Sequence, residues 1–243
     1  MYQKIIKRIL DCFLSAAGLV ILSPVFLLIT VAIKIDSRGP VLFRQVRMGA
    51  DEKPFTIYKF RSMYRDAPQS CPTHELRDPQ KYITRVGAFL RKTSLDELPQ
   101  LLNILKGEMS VVGPRPLIPE LGQWLADRKA TGADRLRPGL TGWAQVNGRD
   151  ALSSEEKARL DGEYARRVSF MFDLKCLYQS VGVVLRKTGF IEGNRERDER
   201  RAERTEQRVQ IDENSYLPGS EYAPERPWKG MALSCEEVKD HSA

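Results

Sequence analysis

Residues 12–33 form a run of 22 without a charge, interrupted near its middle by Ser23-Pro24. At about 1.5 Å per residue a straight helix of that length would reach ~33 Å, close to the hydrocarbon thickness of a bilayer. No other stretch is apolar enough to enter lipid, so membrane residence rests on this one. Both flanks are basic: Lys4, Lys7 and Arg8 precede it, and Lys34, Arg38, Arg44 and Arg47 follow. Basic flanks favour the cytoplasmic leaflet and its anionic headgroups. A simple span would carry one of them across the membrane.

Pro24 offers another route. It has no N–H for the carbonyl of Val20, and its ring crowds that carbonyl, which predicts a kink. The Ser23 hydroxyl can cover part of the freed backbone, as a break within lipid requires. Two half-helices of about eleven residues, each ~17 Å long, can then dip into one leaflet and return. A kinked but complete span is the competing arrangement, and the two basic flanks favour re-entry. No small-residue cleavage site follows the segment, which argues against a cleaved signal peptide.

The 243 residues divide into a re-entrant helix over 1–38, a cored domain over 39–194 and a charged tail over 195–243. The net charge is +7, and residues 1–50 hold seven Lys/Arg against Asp11 and Asp36. The excess therefore gathers beside the membrane segment, which favours anionic lipid or an anionic lipid-linked substrate over nucleic acid. Cys12, Cys71, Cys176 and Cys235 have no CxxC spacing, and only His74 and His241 offer imidazoles. A structural zinc or a disulfide framework is thereby disfavoured, and a reducing compartment fits.

The expected fold class is α+β, mostly helical with short strands. Strands are predicted over 41–44 and 53–60 around a polar connection, and a loop over 66–80. Val86, Phe89 and Leu90, interleaved with Arg85, Arg91 and Lys92, predict a basic amphipathic helix, either on the membrane surface or packed on the core. Leu98, Leu101, Leu102 and Leu105 predict one apolar helix face stopped by Gly107. A buried strand over 111–112 runs into a rigid turn, a helix covers 119–129, a Gly-rich irregular segment spans 137–149, and 153–187 is mostly helical. The tail begins with a charge-paired helix over 195–208, including Glu196 and Arg200 at i, i+4. Its later Tyr216, Tyr222 and Trp228 suit anchors in a homodimer contact. Its balanced charges argue against nucleic-acid binding.

Asp96-Glu97 is the best candidate reactive pair. Ser94 and Glu97 have capping-box spacing, but Pro99 would break such a helix. Proline suits the first turn, which starts the helix at Pro99 and leaves both carboxylates at its N-terminus, where the dipole favours their ionised forms. Such a pair can attack phosphorus, hold Mg²⁺ or remove a proton. Cations surround it in sequence: Arg91 and Lys92 lie just before, and Lys59 and Arg61 follow a strand. Arg115 is fixed between two prolines, as suits a guanidinium that meets phosphate in set geometry. Arg137 and Arg149 bracket glycines that allow close backbone approach to a ligand.

Taken together, Lys59-Phe60-Arg61-Ser62-Met63, Asp96-Glu97-Leu98-Pro99-Gln100, Val112-Gly113-Pro114-Arg115-Pro116 and the run 137–149 (RPGLTGWAQVNGR) resemble the monotopic phosphoglycosyl transferases of bacteria, the bacterial sugar transferases. The likeness covers about residues 1–190, with the motifs in the family's order. It implies a re-entrant helix broken at Ser23-Pro24 and a catalytic domain on the cytoplasmic face of the bacterial inner membrane. It also implies Mg²⁺ and transfer of a sugar-1-phosphate from a UDP-sugar to polyprenyl (undecaprenyl) phosphate with release of UMP. That is the first membrane step of glycoconjugate, O-antigen or exopolysaccharide synthesis. By the same resemblance Asp96 is the nucleophile and lies against the metal, and Glu97 is its acidic partner. Arg91, Arg115 and Arg149 match phosphate-binding positions, with Lys59, Arg61 and Pro114 nearby. The chain departs from the minimal members by about forty C-terminal residues, and it lacks the multi-span N-terminal extension of others. The competing class is an inactive membrane-bound scaffold holding anionic lipid and a protein partner; the intact Asp96-Glu97 with Arg115 and Arg149 argues against it.

Overall fold

Pro24 shapes how the chain begins. In the computed structural model, which describes residues 2–68, 79–119, 122–148 and 152–186, a π-helical turn (Tyr2–Ile6) leads into α1 (Lys7–Ile21). Helix α2 (Ser23–Asp36) follows after a 61° bend at Leu22. The Val20 carbonyl, denied a proline N–H, accepts the Ser23 hydroxyl at 2.8 Å. Leu22 still donates to Gly18 at 2.9 Å, so the break costs little hydrogen bonding. Among the described residues no single helix is long and apolar enough to cross a membrane; the bent pair passes that test only together.

Helix α1 has its polarity inside out. Lys7, Asp11 and Ser15, one face at i, i+4, i+8, are buried, whereas Ile9 and Phe13 are 63% and 69% exposed. Two of the three have partners in the domain, and the Ser15 hydroxyl has none among the described residues. The Asp11 carboxylate accepts the Val111 N–H at 3.0 Å, and the Lys7 ammonium meets Asp173. The neighbouring Arg8 guanidinium donates to the carbonyls of Ile104 and Leu105, the free acceptors at a helix end. On α2 the inward Ile29 and Ile33 pack with Phe60 and Leu90, and Leu27, Leu28 and Ile35 point outward.

Strands β1 (Leu42–Met48) and β2 (Pro54–Phe60) form an antiparallel hairpin, with Leu42 opposite Phe60 and Met48 opposite Pro54. Strand β1 thus runs past its predicted end at Arg44 to Met48, which meets Leu117. Helix α3 (Arg85–Thr93) starts at Thr84, whose side chain accepts the Gly87 N–H at 2.9 Å. It packs on the core through Leu90, which is buried, while Phe89 faces out. Helix α4 (Gln100–Lys106) ends at Gly107 in the left-handed region, φ 90°, as expected of a glycine stop.

The predicted apolar stripe of α4 needs correction. Leu101 and Ile104 face inward, but so do Gln100 and Asn103, while Leu102 is exposed. Asn103 is a buried polar group with its bonds made: it accepts the Tyr58 N–H and donates to the Thr56 carbonyl and to Glu108. These bonds dock α4 on strand β2, a role that a leucine count along the helix cannot reveal.

Strand β3 (Ser110–Val112) pairs in parallel with β4 (Gly139–Thr141), Ser110 opposite Gly139 and Val112 opposite Thr141. The segment expected to be irregular over 137–149 therefore contains a strand and then a one-turn helix, α6 (Trp143–Val146). Both pieces are too short for periodicity to show. Its glycines serve chain packing: a Cβ on Gly139 would sit 2.1 Å from the Gly113 nitrogen. Between the two strands lies α5 (Gly122–Ala130). Helix α7 (Ser154–Arg167) opens with a capping box of Ser153 and Glu156, and α8 (Phe170–Arg186) follows. Trp143, Leu160, Tyr164, Phe172 and Cys176 close a core around Val112. The mix of helices and short strands agrees with the expected fold class. The predicted helix over 195–208, the tail's aromatic anchors and most of the loop over 66–80 lie outside the described residues.

Candidate active site

Helix α3 ends at Ser94, which adopts the left-handed region, φ 57°. A non-glycine residue there carries about 1–2 kcal/mol of backbone strain, a feature that gathers at functional sites. The next three residues, Leu95–Glu97, form a 3₁₀ turn, and Pro99 caps α4. No Ser94 side-chain cap is made, so the pair is not a capping box. Asp96 and Glu97 instead stand in a tight turn one residue before Leu98 and Pro99, close to the predicted helix start.

The two carboxylates are treated differently. Oε1 of Glu97 accepts the Lys59 ammonium at 2.8 Å and the Arg115 guanidinium at 3.4 Å. Lys59 comes from β2, where burial of its ammonium pulls its pKa below the usual range despite Glu97. Asp96 is only 8% exposed, and no hydrogen bond reaches its carboxylate from the described residues. Burial first, and then the charge of Glu97, push Asp96 up to about 6, against the pull of Lys59, Arg91 and Arg115. One acid is neutralised by two cations; its neighbour is held in a dry setting with its oxygens uncommitted.

Three successive carbonyls fix the turn that carries Arg115. That of Pro114 accepts the Gly139 N–H at 2.8 Å, that of Arg115 accepts Arg128 at 2.8 Å, and that of Pro116 accepts Arg47 at 3.2 Å. Arg128 is itself buried and paired with Asp161 at 2.8 Å. The structure thus brings together Asp96, Glu97, Lys59, Arg91, Pro114 and Arg115. Arg61 is elsewhere: its guanidinium donates to the Ser37 carbonyl and hydroxyl and to the Arg38 carbonyl, closing the end of α2. Its charged neighbours are Arg65 and Asp36. The expected substrate-binding role is therefore not what its geometry serves; β2 ends at Phe60, so the chain has left the strand by Arg61 and the two-residue spacing from Lys59 no longer puts both on one face. Arg149 lies outside the described residues.

Sequence reasoning missed Arg47, Gln100, Arg128 and Asp161. Arg47 and Gln100 line the cleft with Lys59, Glu97 and Arg115. Antiparallel alternation in the hairpin could have pointed to Arg47; no local signal marks Arg128 or Asp161, which meet across 33 residues.

Among the described residues no three carboxylate, thiol or imidazole groups converge. A metal here would rest on one carboxylate plus oxygens of a bound phosphate, the donor set that Mg²⁺ accepts. The uncommitted Asp96 carboxylate fits that requirement, and Glu97, bridged by Lys59 and Arg115, does not.

A cation-ringed acid pair beside a broken apolar helix defines an enzyme site for anionic substrates. The chain belongs to the bacterial sugar transferase family, whose sequence pattern matches residues 2–187. It is 42% identical over 193 residues to the uncharacterized sugar transferase EpsL of Bacillus subtilis, covering 78% of this chain and 92% of that protein. It is 41% identical over 185 residues to the undecaprenyl-phosphate glucose phosphotransferase of Komagataeibacter xylinus, covering 72% of this chain and 35% of that protein. The UDP-glucose:undecaprenyl-phosphate glucose-1-phosphate transferase of Escherichia coli is 42% identical over 187 residues, 74% of this chain and 40% of its own. The chain thus spans well under half the length of these two glucose transferases.

Proposed function

We propose that this chain transfers a sugar-1-phosphate from a UDP-sugar to polyprenyl phosphate, with release of UMP, on the cytoplasmic face of the bacterial inner membrane. The observation that carries the reading is the asymmetry of the acid pair: Glu97 neutralised by Lys59 and Arg115, Asp96 buried and unbonded. An oxygen with no partner to surrender is a ready nucleophile once ionised. Arg91 and Arg115 hold the diphosphate and offset its charge as the carboxylate approaches. The Asp96 oxygen forms a bond to the sugar-bearing phosphorus, and the bond from that phosphorus to the UMP oxygen breaks. The acyl phosphate then passes its sugar-phosphate to an oxygen of polyprenyl phosphate, which restores the carboxylate. Glu97 takes any proton that the incoming phosphate carries. Asp96 is the residue that would hold Mg²⁺, which when bound would supply positive charge to the diphosphate.

Membrane residence is supported by α1, which turns Lys7, Asp11 and Ser15 inward and Ile9, Phe13, Val20 and Ile21 outward. That is the polarity of a helix whose outer solvent is lipid. The bend at Leu22 and the basic flanks favour re-entry, which keeps lipid acceptor and soluble donor on one side. The relatives that transfer glucose-1-phosphate favour glucose as the sugar, and two further rhizobial relatives, both exopolysaccharide production proteins, favour exopolysaccharide as the product. The test is UMP release by the full chain in nanodiscs containing undecaprenyl phosphate, with Mg²⁺ and a panel of UDP-sugars. One UDP-sugar should support turnover that Asp96→Asn abolishes; silence across the panel would reject the reading.

A further inference from the structure

A second polar cavity, of about 320 Å³, opens where the N-terminal turn meets the domain. Its lining shares no residue with the Lys59, Glu97 and Arg115 cleft: the β3–β4 pair gives Gly139 to the cleft, and Ser110 and Arg137 to the cavity. Four cations reach it, Lys4, Lys7, Arg135 and Arg137. Lys7 is paired with Asp173, which leaves three cations against the two lining acids, Asp11 and Asp51. Lys4, Arg135 and Arg137 therefore give the cavity an excess of positive charge. Ser110 adds the second observation. It is 1% exposed, yet its hydroxyl has no hydrogen-bond partner among the described residues. A buried donor left unsatisfied costs about 1–3 kcal/mol, and a ligand that reached it would recover that cost.

We propose that this cavity is a binding site for a phosphate group, separate from the catalytic cleft. Arg135 and Arg137 supply paired N–H donors of the kind that grip phosphate oxygens, Lys4 supplies a mobile charge, and Ser110 donates from the floor. The volume is at the small end for a ligand pocket, enough for a phosphate on a compact organic body. Ile5 and Phe170, both exposed, flank this end of the molecule, as a lipid headgroup would need of its surroundings. The same donors would take a soluble phosphate compound, so the test separates the two sources.

The full chain is prepared as wild type, as the Lys4→Gln/Arg135→Gln double variant, and as Ser110→Ala. One arm titrates inorganic phosphate and reads ³¹P line broadening. The other measures phosphatidic acid retained by the protein after exchange into phosphatidylcholine nanodiscs. Loss of two charge-assisted contacts should weaken binding about tenfold or more in at least one arm, and Ser110→Ala should weaken it about threefold. A response confined to phosphate assigns a soluble ligand, and one confined to phosphatidic acid assigns a lipid headgroup. The weakening must persist in an Arg115→Gln background, and UMP release by the double variant in phosphatidylcholine should stay within about twofold of wild type. Binding insensitive to the double variant or to Ser110→Ala overturns the proposal. So does an effect that disappears with Arg115→Gln, or loss of UMP release in the double variant, since either would assign the phosphate to the catalytic cleft.

Discussion

Arg128→Met tests how the turn carrying Arg115 is held. The Arg128–Asp161 pair is buried, with side chains 6% and 3% exposed, and its 2.8 Å contact is one of two bonds that Arg128 makes. Burial lowers the Arg128 pKa and raises that of Asp161, and their mutual attraction opposes both shifts. Methionine would leave the Asp161 carboxylate buried without its cation, at a cost of about 3–5 kcal/mol. It would also free the Arg115 carbonyl, which Arg128 now holds. The double variant Arg128→Met/Asp161→Leu removes the stranded charge, so most of the lost stability should return. Its UMP release should stay depressed, because nothing replaces the bond to the Arg115 carbonyl. Urea denaturation of Arg128→Met, Asp161→Leu and the double variant, with steady-state UMP release, measures the two effects separately. A cost below about 1 kcal/mol for Arg128→Met, or single costs that simply add in the double variant, would refute the account of this pair.

Pro24→Ala restores an N–H for the Val20 carbonyl and should let part of the population straighten into a span. Cysteines placed at Gln3 and Ala50 should both label only from the cytoplasmic side in the parent chain, with Gln3→Cys becoming partly accessible from outside when Pro24 is replaced. Asp96, raised from 3.8 to about 6, holds its proton more tightly folded than unfolded. Metal-free stability should therefore fall as pH rises from about 4 to about 6 and then level, by up to about 3 kcal/mol from this group. Asp96→Asn should remove that slope, and an unchanged slope would show that other groups cause it. Gly139→Ala should cost about 3 kcal/mol in the same denaturation assay, since its Cβ would meet the Gly113 nitrogen at 2.1 Å and the Thr141 carbonyl at 2.3 Å. A neutral outcome would mean that β3 and β4 separate more readily than their register suggests.

The helix break was legible because proline chemistry is local: the missing N–H, the Val20 carbonyl and the Ser23 hydroxyl lie within four residues of one another. The acid pair was legible for the same reason, with Pro99 ruling out the capping-box alternative. Lys59 and Arg115 were recognised as cations, but their shared hold on one oxygen of Glu97 spans 38 and 18 residues and depends on the hairpin register. Arg61 misleads because its two-residue spacing puts it on the face of Lys59 only if the strand continues, and β2 ends at Phe60. The leucine stripe of α4 misled through Asn103, whose bonds to Thr56, Tyr58 and Glu108 exist only once β2 is alongside. The role of Gly113 and Gly139 does not show in sequence because it depends on the close approach of two segments of the chain, the end of β3 and the start of β4.

The central claim is that Asp96 becomes covalently loaded. The full chain, purified without polyprenyl phosphate, is incubated with Mg²⁺ and the UDP-sugar that supports turnover, and intact mass and free UMP are measured together. Up to about one UMP per active site should appear with a matching gain of one sugar-phosphate in mass, and added polyprenyl phosphate should discharge it. Asp96→Asn should give neither signal. UMP that appears only after the lipid acceptor is added, with no mass gained before, would contradict the covalent route and favour direct transfer between two bound substrates.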